Sequence, residues 1–266
     1  MPDHLTSLPV LIQIPLPDGT NAAFGTGTYV DVSNKVFLVT AKHVLFKKDG
    51  SLLGGSSFLF TYAEEPTNQT LVTVNLRSAL DGGLLKRHPT RDIAAIRVAT
   101  TYYYTNGNVD IVWNSAVSST NSSSKFRWWG GTNSFQVLTN VSAASEAFIL
   151  GFPVELLKTQ TEIFKVHSQV DFSCPLVRRG VISQRNHKDG WLIVDSGVYG
   201  GNSGGPLFVT EHPSLGVTSF KLCGIVTEFV PIFTRLAEEF GITNNTMVFS
   251  GYSVAEPIDY ALEVMH

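Results

Sequence analysis

Residues 200–207, with the sequence GGNSGGPL, constrain the fold more than any other part of the chain. Glycines stand on both sides of Ser203, and glycine permits positive φ and close approach of another backbone segment. A serine in such a turn would present an exposed hydroxyl, and the N–H groups of Gly201 and Ser203 could converge on one point as an oxyanion hole. The alternative is a flexible Gly/Ser turn that has no catalytic role. The complete motif GNSGGPL, followed by a predicted strand, makes this alternative the weaker interpretation.

Short apolar stretches separated by turn residues occupy most of the chain. Residues 71–76 (LVTVNL) alternate apolar and polar side chains, and residues 35–40, 93–98 and 163–170 are further predicted strands. The 23 glycines and 12 prolines are typical of many short strands joined by tight turns. The pattern predicts an all-β fold with two blocks of strands, arranged as two antiparallel barrels or as a sandwich.

Two helices are predicted, both late in the chain. Residues 232–240 (IFTRLAEEF) place apolar side chains at helical spacing, and Gly241 follows as a stop signal. Residues 257–265 (PIDYALEVM) form a second pattern of this kind, which would close the fold.

The length of 266 residues suffices for one large all-β domain or for two packed lobes. Polar stretches at residues 105–108 and 118–124 look like loops or like the connection between lobes. We expect an N-terminal lobe over residues 1–135 and a C-terminal lobe over residues 136–266.

Composition and charge exclude several classes of function. The 19 Lys and Arg against 22 Asp and Glu give a net charge of -3, which supplies no attraction to nucleic acid or anionic lipid. The two cysteines exclude a disulfide-rich scaffold, and no metal-ligand spacing occurs, so no metal or cofactor is expected. The N-terminal segment lacks a basic start, and no apolar run reaches membrane-spanning length. We therefore expect a cytoplasmic protein without a membrane partner.

A nucleophilic serine needs a base, and histidine is the natural one at neutral pH. His43, in VTAKHV at the end of an apolar strand, is the candidate base for Ser203. Asp92, in RDIAAIRV at the start of another strand, is the candidate acid, because a buried carboxylate there needs a partner such as a histidine N–H. Asp81 and Asp110 are rivals for this role, but neither leads into such a strand.

The three candidates follow the chain order His43, Asp92, Ser203. This is the order of the chymotrypsin arrangement, and it differs from the orders in subtilisin and in the α/β-hydrolases. The order places base and acid in the first lobe and the nucleophile in the second. The site is therefore expected in the cleft between the lobes.

From residue 25 onward the chain resembles the trypsin-like serine peptidases of the chymotrypsin fold, most closely the bacterial Deg-type proteases. GTGTYV, VTAKHV and RDIAAIRV are similar to segments of that family's first barrel, and AFILGFP, RRGVIS and VDSGVYGGNSGGPLF follow in the expected order. The resemblance implies two antiparallel six-stranded β-barrels with a C-terminal helix. It also implies a serine endopeptidase, which acts on protein or peptide substrates without a cofactor.

The resemblance assigns a role to each candidate residue. Ser203 attacks the scissile carbonyl, and His43 takes its proton and later gives one to the leaving amine. Asp92 orients the His43 ring and stabilises its charged form. The N–H groups of Gly201 and Ser203 stabilise the oxyanion.

Three departures from the family pattern modify these expectations. Asn202 stands where zymogen-activated relatives have an acid before the serine, so activation by N-terminal cleavage is not expected. The chain ends soon after the closing helix, so we expect no additional peptide-binding domain. Gly197 stands where a preference for Lys or Arg would require an acid, so such a preference is not supported.

The pocket that selects the residue before the cut is expected between the segment preceding Ser203 and the strand that follows it. Its predicted residues are Gly197, Val198, Tyr199, Val226, Thr227 and Phe229. The apolar members suggest an apolar wall, and Tyr199 could narrow the opening. Backbone groups of Thr227 and Phe229 would bind an extended substrate as an added strand. Strand alternation turns Glu228 toward solvent, so a small or medium apolar residue is expected before the scissile bond.

Other functions remain open on the sequence. A pseudoprotease or peptide-binding module would keep the fold without turnover. A latent protease would become active only when a partner protein orders the loop before Ser203. An esterase would use the same three residues on ester substrates.

Overall fold

The computed structural model describes residues 5–17, 19, 22–61, 71–103, 109–119, 128–131, 134–154, 174–237 and 243–266. The predicted strand at residues 163–170 and the predicted loop at 105–108 lie outside the described residues. Of the loop predicted at 118–124, residues 120–124 also lie outside them, whereas Ser118 and Ser119 belong to a short strand. The described strands form two sheets, one in each half of the chain.

The first sheet contains ten strands among the described residues. They are β1 (Pro9–Pro15), β2 (Ala22–Val32), β3 (Lys35–Ala41), β4 (Ser56–Thr61), β5 (Leu71–Asn75), β6 (Leu85–Arg87), β7 (Ile93–Tyr103), β8 (Val109–Trp113), β9 (Val117–Ser119) and β10 (Trp129–Gly130). Their order is β6-β7-β3-β2-β1-β4-β5-β9, while β8 pairs with β7 and β10 with β2. Two short helices, α1 (Lys42–Leu45) and α2 (Leu76–Asp81), each follow a strand directly.

The second sheet closes into a barrel. Its strands are β11 (Glu146–Gly151), β12 (Leu176–Asn186), β13 (Trp191–Asp195), β14 (Pro206–Ser214), β15 (Val217–Ala237) and β16 (Thr243–Pro257). The order around the barrel is β11-β12-β13-β16-β15-β14. A 3₁₀ turn (Leu138–Asn140) precedes the barrel, and helix α3 (Ile258–Val264) follows it.

Three apolar clusters hold the fold together. One fills the first sheet and includes Ile12, Leu38 and Ile96. Another fills the barrel. The third lies between the sheets: it joins first-sheet residues such as Val39 to barrel residues such as Phe208, and helix α3 contributes its apolar face. Burial of these side chains, worth about 25 cal/mol per Å² of apolar surface, fixes one sheet against the other.

The prediction of an all-β fold with two antiparallel sheets and a closing helix is confirmed. The predicted count of six strands applies to the second barrel, whereas the first sheet has ten strands in the described part of the chain. The pairing of β10 with β2 is parallel, although the other pairs within this sheet are antiparallel.

The predicted helix at residues 232–240 is wrong where the structure describes it. Strand β15 continues to Ala237, and residues 231 to 237 pair with β16 from Phe249 to Thr243 in an antiparallel ladder. Helical spacing of apolar residues is a weak signal, and the hydrogen bonds of this antiparallel ladder override it. Residues 238–240 lie outside the described residues.

Two features are absent from the described residues. None of their helices combines the length and apolar character that crossing a membrane requires. No cluster of three or more His, Cys, Asp or Glu side chains in the described ranges could hold a metal ion.

Candidate active site

His43 and Asp92 meet because of the register between two neighbouring strands. The last residue of β3, Ala41, pairs with the first residue of β7, Ile93. His43 lies just beyond the end of β3 in helix α1, and Asp92 lies just before the start of β7. The backbone N–H of Lys42 donates to the Asp92 carbonyl over 3.1 Å, which extends the strand pairing to the site.

Both oxygens of the Asp92 carboxylate contact His43. Nδ1 of the His43 ring lies 2.6 Å from Oδ2, and the backbone N–H of His43 donates to Oδ1 over 2.9 Å. Two bonds from one residue fix the carboxylate and the ring relative to each other. The His43 side chain is 49% exposed and that of Asp92 is 24% exposed, so the ring reaches solvent and the carboxylate is more buried. Nδ1 carries the proton in this arrangement, which leaves Nε2 free to act as a base.

The turn that carries Ser203 requires glycine at two positions. Gly201 and Gly204 have φ of 99° and 90°, which side chains rarely tolerate. A Cβ at Gly204 would overlap the Thr26 carbonyl and the Thr40 hydroxyl, and a Cβ at Gly201 would overlap the Phe152 carbonyl. The first lobe is thus packed directly against the turn.

Thr26, in strand β2 of the first lobe, joins this turn to both lobes. Its hydroxyl donates to the Gly201 carbonyl over 2.7 Å and accepts from the Phe152 N–H over 3.0 Å. Its backbone N–H donates to the Ser203 carbonyl over 2.8 Å. The Thr40 hydroxyl, three residues before His43, donates to the Thr26 carbonyl over 2.6 Å. This chain of bonds connects the nucleophile turn to the segment that carries the base.

The Ser203 hydroxyl donates to the Thr227 carbonyl over 3.1 Å. Within the described residues, neither the N–H of Gly201 nor that of Ser203 has an acceptor. The neighbouring N–H groups are occupied, since Asn202 donates to the Tyr199 carbonyl and Gly204 to the Val226 carbonyl. Two unoccupied donors on either side of Asn202 are what an oxyanion site needs.

The predicted pocket residues divide into two groups. Val198 and Val226 are buried in the core of the second barrel, and buried Thr227 offers its carbonyl to Ser203. Tyr199 and Phe229 are half-buried, and both rings pack against Phe249, at centroid distances of 5.1 Å and 4.7 Å. The two aromatic residues of the predicted pocket therefore belong to one aromatic cluster, while its two valines belong to the barrel core.

Arg178 of β12 lies beside the remaining pocket residue, Gly197. Its Nη1 donates to the Gly197 carbonyl over 2.7 Å, and its guanidinium lies 4.5 Å from the centre of the Tyr199 ring. A guanidinium group therefore lies beside two of the predicted pocket residues. Glu228 is exposed, as predicted, although Val226 and Thr227 before it are both buried and the pairing register shifts between Val226 and Glu228.

A cavity of about 660 Å³ opens beside His43 and Asp92. Its charged lining includes Lys42, Lys47, Lys48, Asp49 and Arg87. Basic groups outnumber acidic ones there, although the whole chain is acidic.

The structure brings three further residues to the site that were not expected from the sequence: Thr26, Arg178 and Glu256. Thr26 and Arg178 lie in segments that carry the family resemblance, but the resemblance assigns no role to their side chains. Glu256 of β16 accepts a hydrogen bond from the Asp92 N–H over 3.2 Å. No sequence signal pointed to this contact, because its partner lies in the other lobe.

The chain matches a known protein family but no curated protein sequence. A family model described as the trypsin-like peptidase domain matches residues 25–217. This range contains His43, Asp92 and Ser203. No curated protein sequence matches the chain.

Solved structures match over nearly the whole chain. Thermostable serine protease AL20 from an extremophilic microorganism is 10% identical over 98% of this chain and 96% of that one, with a TM-score of 0.52. Protease Anisep from Arthrobacter nicotinovorans is 14% identical over 95% and 90%, with a TM-score of 0.48. HtrA-type protease AlgW, solved with a decapeptide, is 16% identical over 98% and 63%, with a TM-score of 0.46. At these identities the likeness extends to the fold alone.

Proposed function

The chain belongs to the trypsin-like peptidase domain family, and on that premise we propose that it is a serine endopeptidase that hydrolyses protein or peptide substrates through an acyl-enzyme. The observation that carries the proposal is the bond of 2.6 Å between His43 Nδ1 and Asp92 Oδ2, with the ring exposed to solvent. A histidine held in this way has its other nitrogen available as a base at neutral pH.

In the proposed reaction, Ser203 Oγ attacks the scissile carbonyl carbon while its proton passes to His43 Nε2. The carbonyl oxygen becomes an oxyanion, which accepts hydrogen bonds from the N–H groups of Gly201 and Ser203. His43 then gives its proton to the leaving amine, and the acyl group stays on Ser203. Water, deprotonated by His43, hydrolyses this ester and restores the serine.

Active-site labelling tests the proposal directly. A fluorophosphonate probe should label the folded wild type on Ser203, and neither Ser203→Ala nor heat-denatured protein should react. Peptide hydrolysis by Ser203→Ala should fall by on the order of 10⁶. The control is Ser214→Ala, a change of an exposed serine at the end of β14, which should label like the wild type. Undiminished peptide hydrolysis by Ser203→Ala would refute the proposal.

A latent protease, switched on by a partner protein, is a second candidate. The observation that favours it is the Ser203 hydroxyl, which donates to the Thr227 carbonyl in this structure. A partner that reorders the segment before Ser203 would shift the hydroxyl toward His43. Labelling that is slow in the isolated protein and rapid after addition of a cell extract would support latency. Rapid labelling of the isolated protein would contradict it.

A further inference from the structure

Glu256 is a buried carboxyl group at the junction of the two lobes. It is 5% exposed, lies next to the end of strand β16, and is paired with Ile225 of β15 in the barrel. Its side chain crosses to the first lobe, where Oε1 accepts the hydrogen bond of 3.2 Å from the Asp92 N–H. Oε2 is buried and has no hydrogen bond within the described residues.

Stability alone does not account for a carboxyl group at this place. Burial of a carboxylate is costly unless it is paired and fully hydrogen-bonded. The nearest positive group, Arg91 Nη1, is 3.9 Å from Oε2, and the Arg91 guanidinium is engaged with the ring and hydroxyl of Tyr260. A group that is buried at a cost and only partly paired is typical of a functional site.

The hydrogen bond to Glu256 helps to hold Asp92, the acid of the proposed reaction, in place. Asp92 lies one residue outside β7, so the strand ladder does not secure its N–H group. Its carbonyl is held by the Lys42 N–H, and Glu256 holds the other side of the residue. With both backbone groups fixed, the Asp92 side chain has little freedom to turn away from His43.

We infer that Glu256 is a positioning residue for the reaction proposed above: its carboxyl oxygen anchors the backbone of Asp92 from the second lobe and so keeps the Asp92 carboxylate aligned on the His43 ring. This role needs an acceptor oxygen and no charge. Burial raises the pKa of Glu256, and the group accepts from the Asp92 N–H whether it is protonated or ionised.

Two substitutions with side chains of about equal length distinguish the effect of the acceptor oxygen from the effect of side-chain volume. Glu256→Gln keeps an acceptor oxygen, and Glu256→Met fills the same space without one. We expect labelling by a fluorophosphonate to slow by about 10- to 100-fold in Glu256→Met and to stay within about threefold of wild type in Glu256→Gln, because small misplacement of a catalytic group has effects of this size. The side chain of Glu256→Asn is one methylene too short to bring its acceptor oxygen to the Asp92 N–H, so this variant should behave like Glu256→Met. It replaces Glu256→Met in the test if that variant does not fold.

The matched control is Glu263, another glutamate that reaches the first lobe. Its Oε2 lies 3.0 Å from Nε2 of His88, and its side chain is 60% exposed. Glu263→Met removes a bond between the lobes without touching Asp92, so labelling should stay at the wild-type rate. An equal loss in Glu263→Met and Glu256→Met would assign the effect to docking of the lobes and overturn the inference.

A spectroscopic signal tests the alignment apart from turnover. The proton between His43 Nδ1 and Asp92 should give a far-downfield NMR resonance, as expected for a short charge-assisted hydrogen bond. It should persist in Glu256→Gln and weaken or vanish in Glu256→Met. If the wild type is not labelled by the fluorophosphonate, the proposed function is refuted. The NMR comparison of the wild type with the two Glu256 variants can still be made in that case. An unchanged resonance in Glu256→Met, or equal losses in the Met and Gln variants, would refute the role of Glu256.

Discussion

The hydroxyl of Ser203 donates to the carbonyl oxygen of Thr227, over 3.1 Å. A hydroxyl has one proton to donate, so this bond competes with a bond to His43. In the reaction we propose, substrate entry along the strand that contains Thr227 would exchange one bond for the other. Hydrogen bonds between catalytic groups are often loose before substrate binds.

Replacement of Asp92 by Asn should reduce kcat by about 10⁴, because an amide in place of the carboxylate favours the wrong tautomer of His43. Steady-state hydrolysis of a peptide checks this. Asp81→Asn is the control: Asp81, a rival candidate in the sequence, pairs with Arg77 on the surface at 3.2 Å. Its replacement should leave kcat unchanged, and a comparable loss in both variants would show that Asp92 is not the acid.

Thr26→Val should lower the free energy of unfolding by about 2 kcal/mol or more, since it leaves the Gly201 carbonyl and the Phe152 N–H without their bonds. It should also reduce kcat through the altered turn. The control is Thr28→Val on the same strand, because the Thr28 hydroxyl is buried without a hydrogen bond in the described part of the chain. That change should be neutral or stabilising. Chemical denaturation of both variants measures the difference, and equal effects would contradict the role of Thr26.

Gly204→Ala should destabilise the protein far more than a glycine change elsewhere with similar backbone geometry. Gly216 has φ of 78° and open space around its Cα, so Gly216→Ala should cost about 1–2 kcal/mol of backbone strain. Gly204→Ala adds overlap with the carbonyl of Thr26, and should exceed this by several kcal/mol or prevent folding. Thermal unfolding compares the two, and similar melting temperatures would contradict the close packing.

Glu256 should make stability depend on pH. Burial raises its pKa, while the Asp92 N–H, Arg91 and His88 oppose the rise and the Asp92 carboxylate adds to it. Above the ordinary pKa of glutamate, the unfolded chain loses this proton before the folded chain does. The free energy of unfolding therefore falls with rising pH until folded Glu256 also ionises, and then levels off.

Glu256→Gln lacks this titration. Relative to the wild type, its free energy of unfolding should increase with pH across that window and then stay constant. Denaturant titrations at several pH values measure the difference. A flat difference between the wild type and Glu256→Gln would mean that the pKa of Glu256 is not raised.

The guanidinium of Arg178 beside Gly197 should disfavour Lys and Arg before the scissile bond. A peptide series with Met or Lys at that position should be cut at least about fivefold faster with Met, since one charge contact is worth about 1 kcal/mol. Arg178→Met should reduce this discrimination. Arg179→Met, a change of the neighbouring exposed arginine that pairs with Glu146, should not. Preferred cleavage after Lys would contradict the prediction.

Short sequence motifs predicted the fold and pointed to the residues of the candidate site, for a physical reason. His43 and Asp92 each adjoin a strand end, so a single strand pairing brings them together, and the glycines around Ser203 report an unusual turn directly. Glu256 and Arg178 could not be found in this way. Their roles depend on contacts between elements far apart in the chain, which leave no pattern in the sequence.

The helix expected at residues 232–240 is wrong over residues 232–237, for the opposite reason. The local pattern is present there, but pairing with residues 243–248 of strand β16 decides the structure. The division of the lobes after residue 135 and the cytoplasmic location stay predictions.

Thr26 also makes the shape of the turn around Ser203 depend on both halves of the chain. The turn lies in residues 200–205, whereas the hydroxyl that fixes it comes from strand β2 near the other end of the sequence. A fragment that lacks β2 would carry the serine without the bonds that Thr26 makes to Gly201 and Ser203. For the peptidase proposed above, a cut that separates β2 from the second barrel would therefore remove the support of the turn as well.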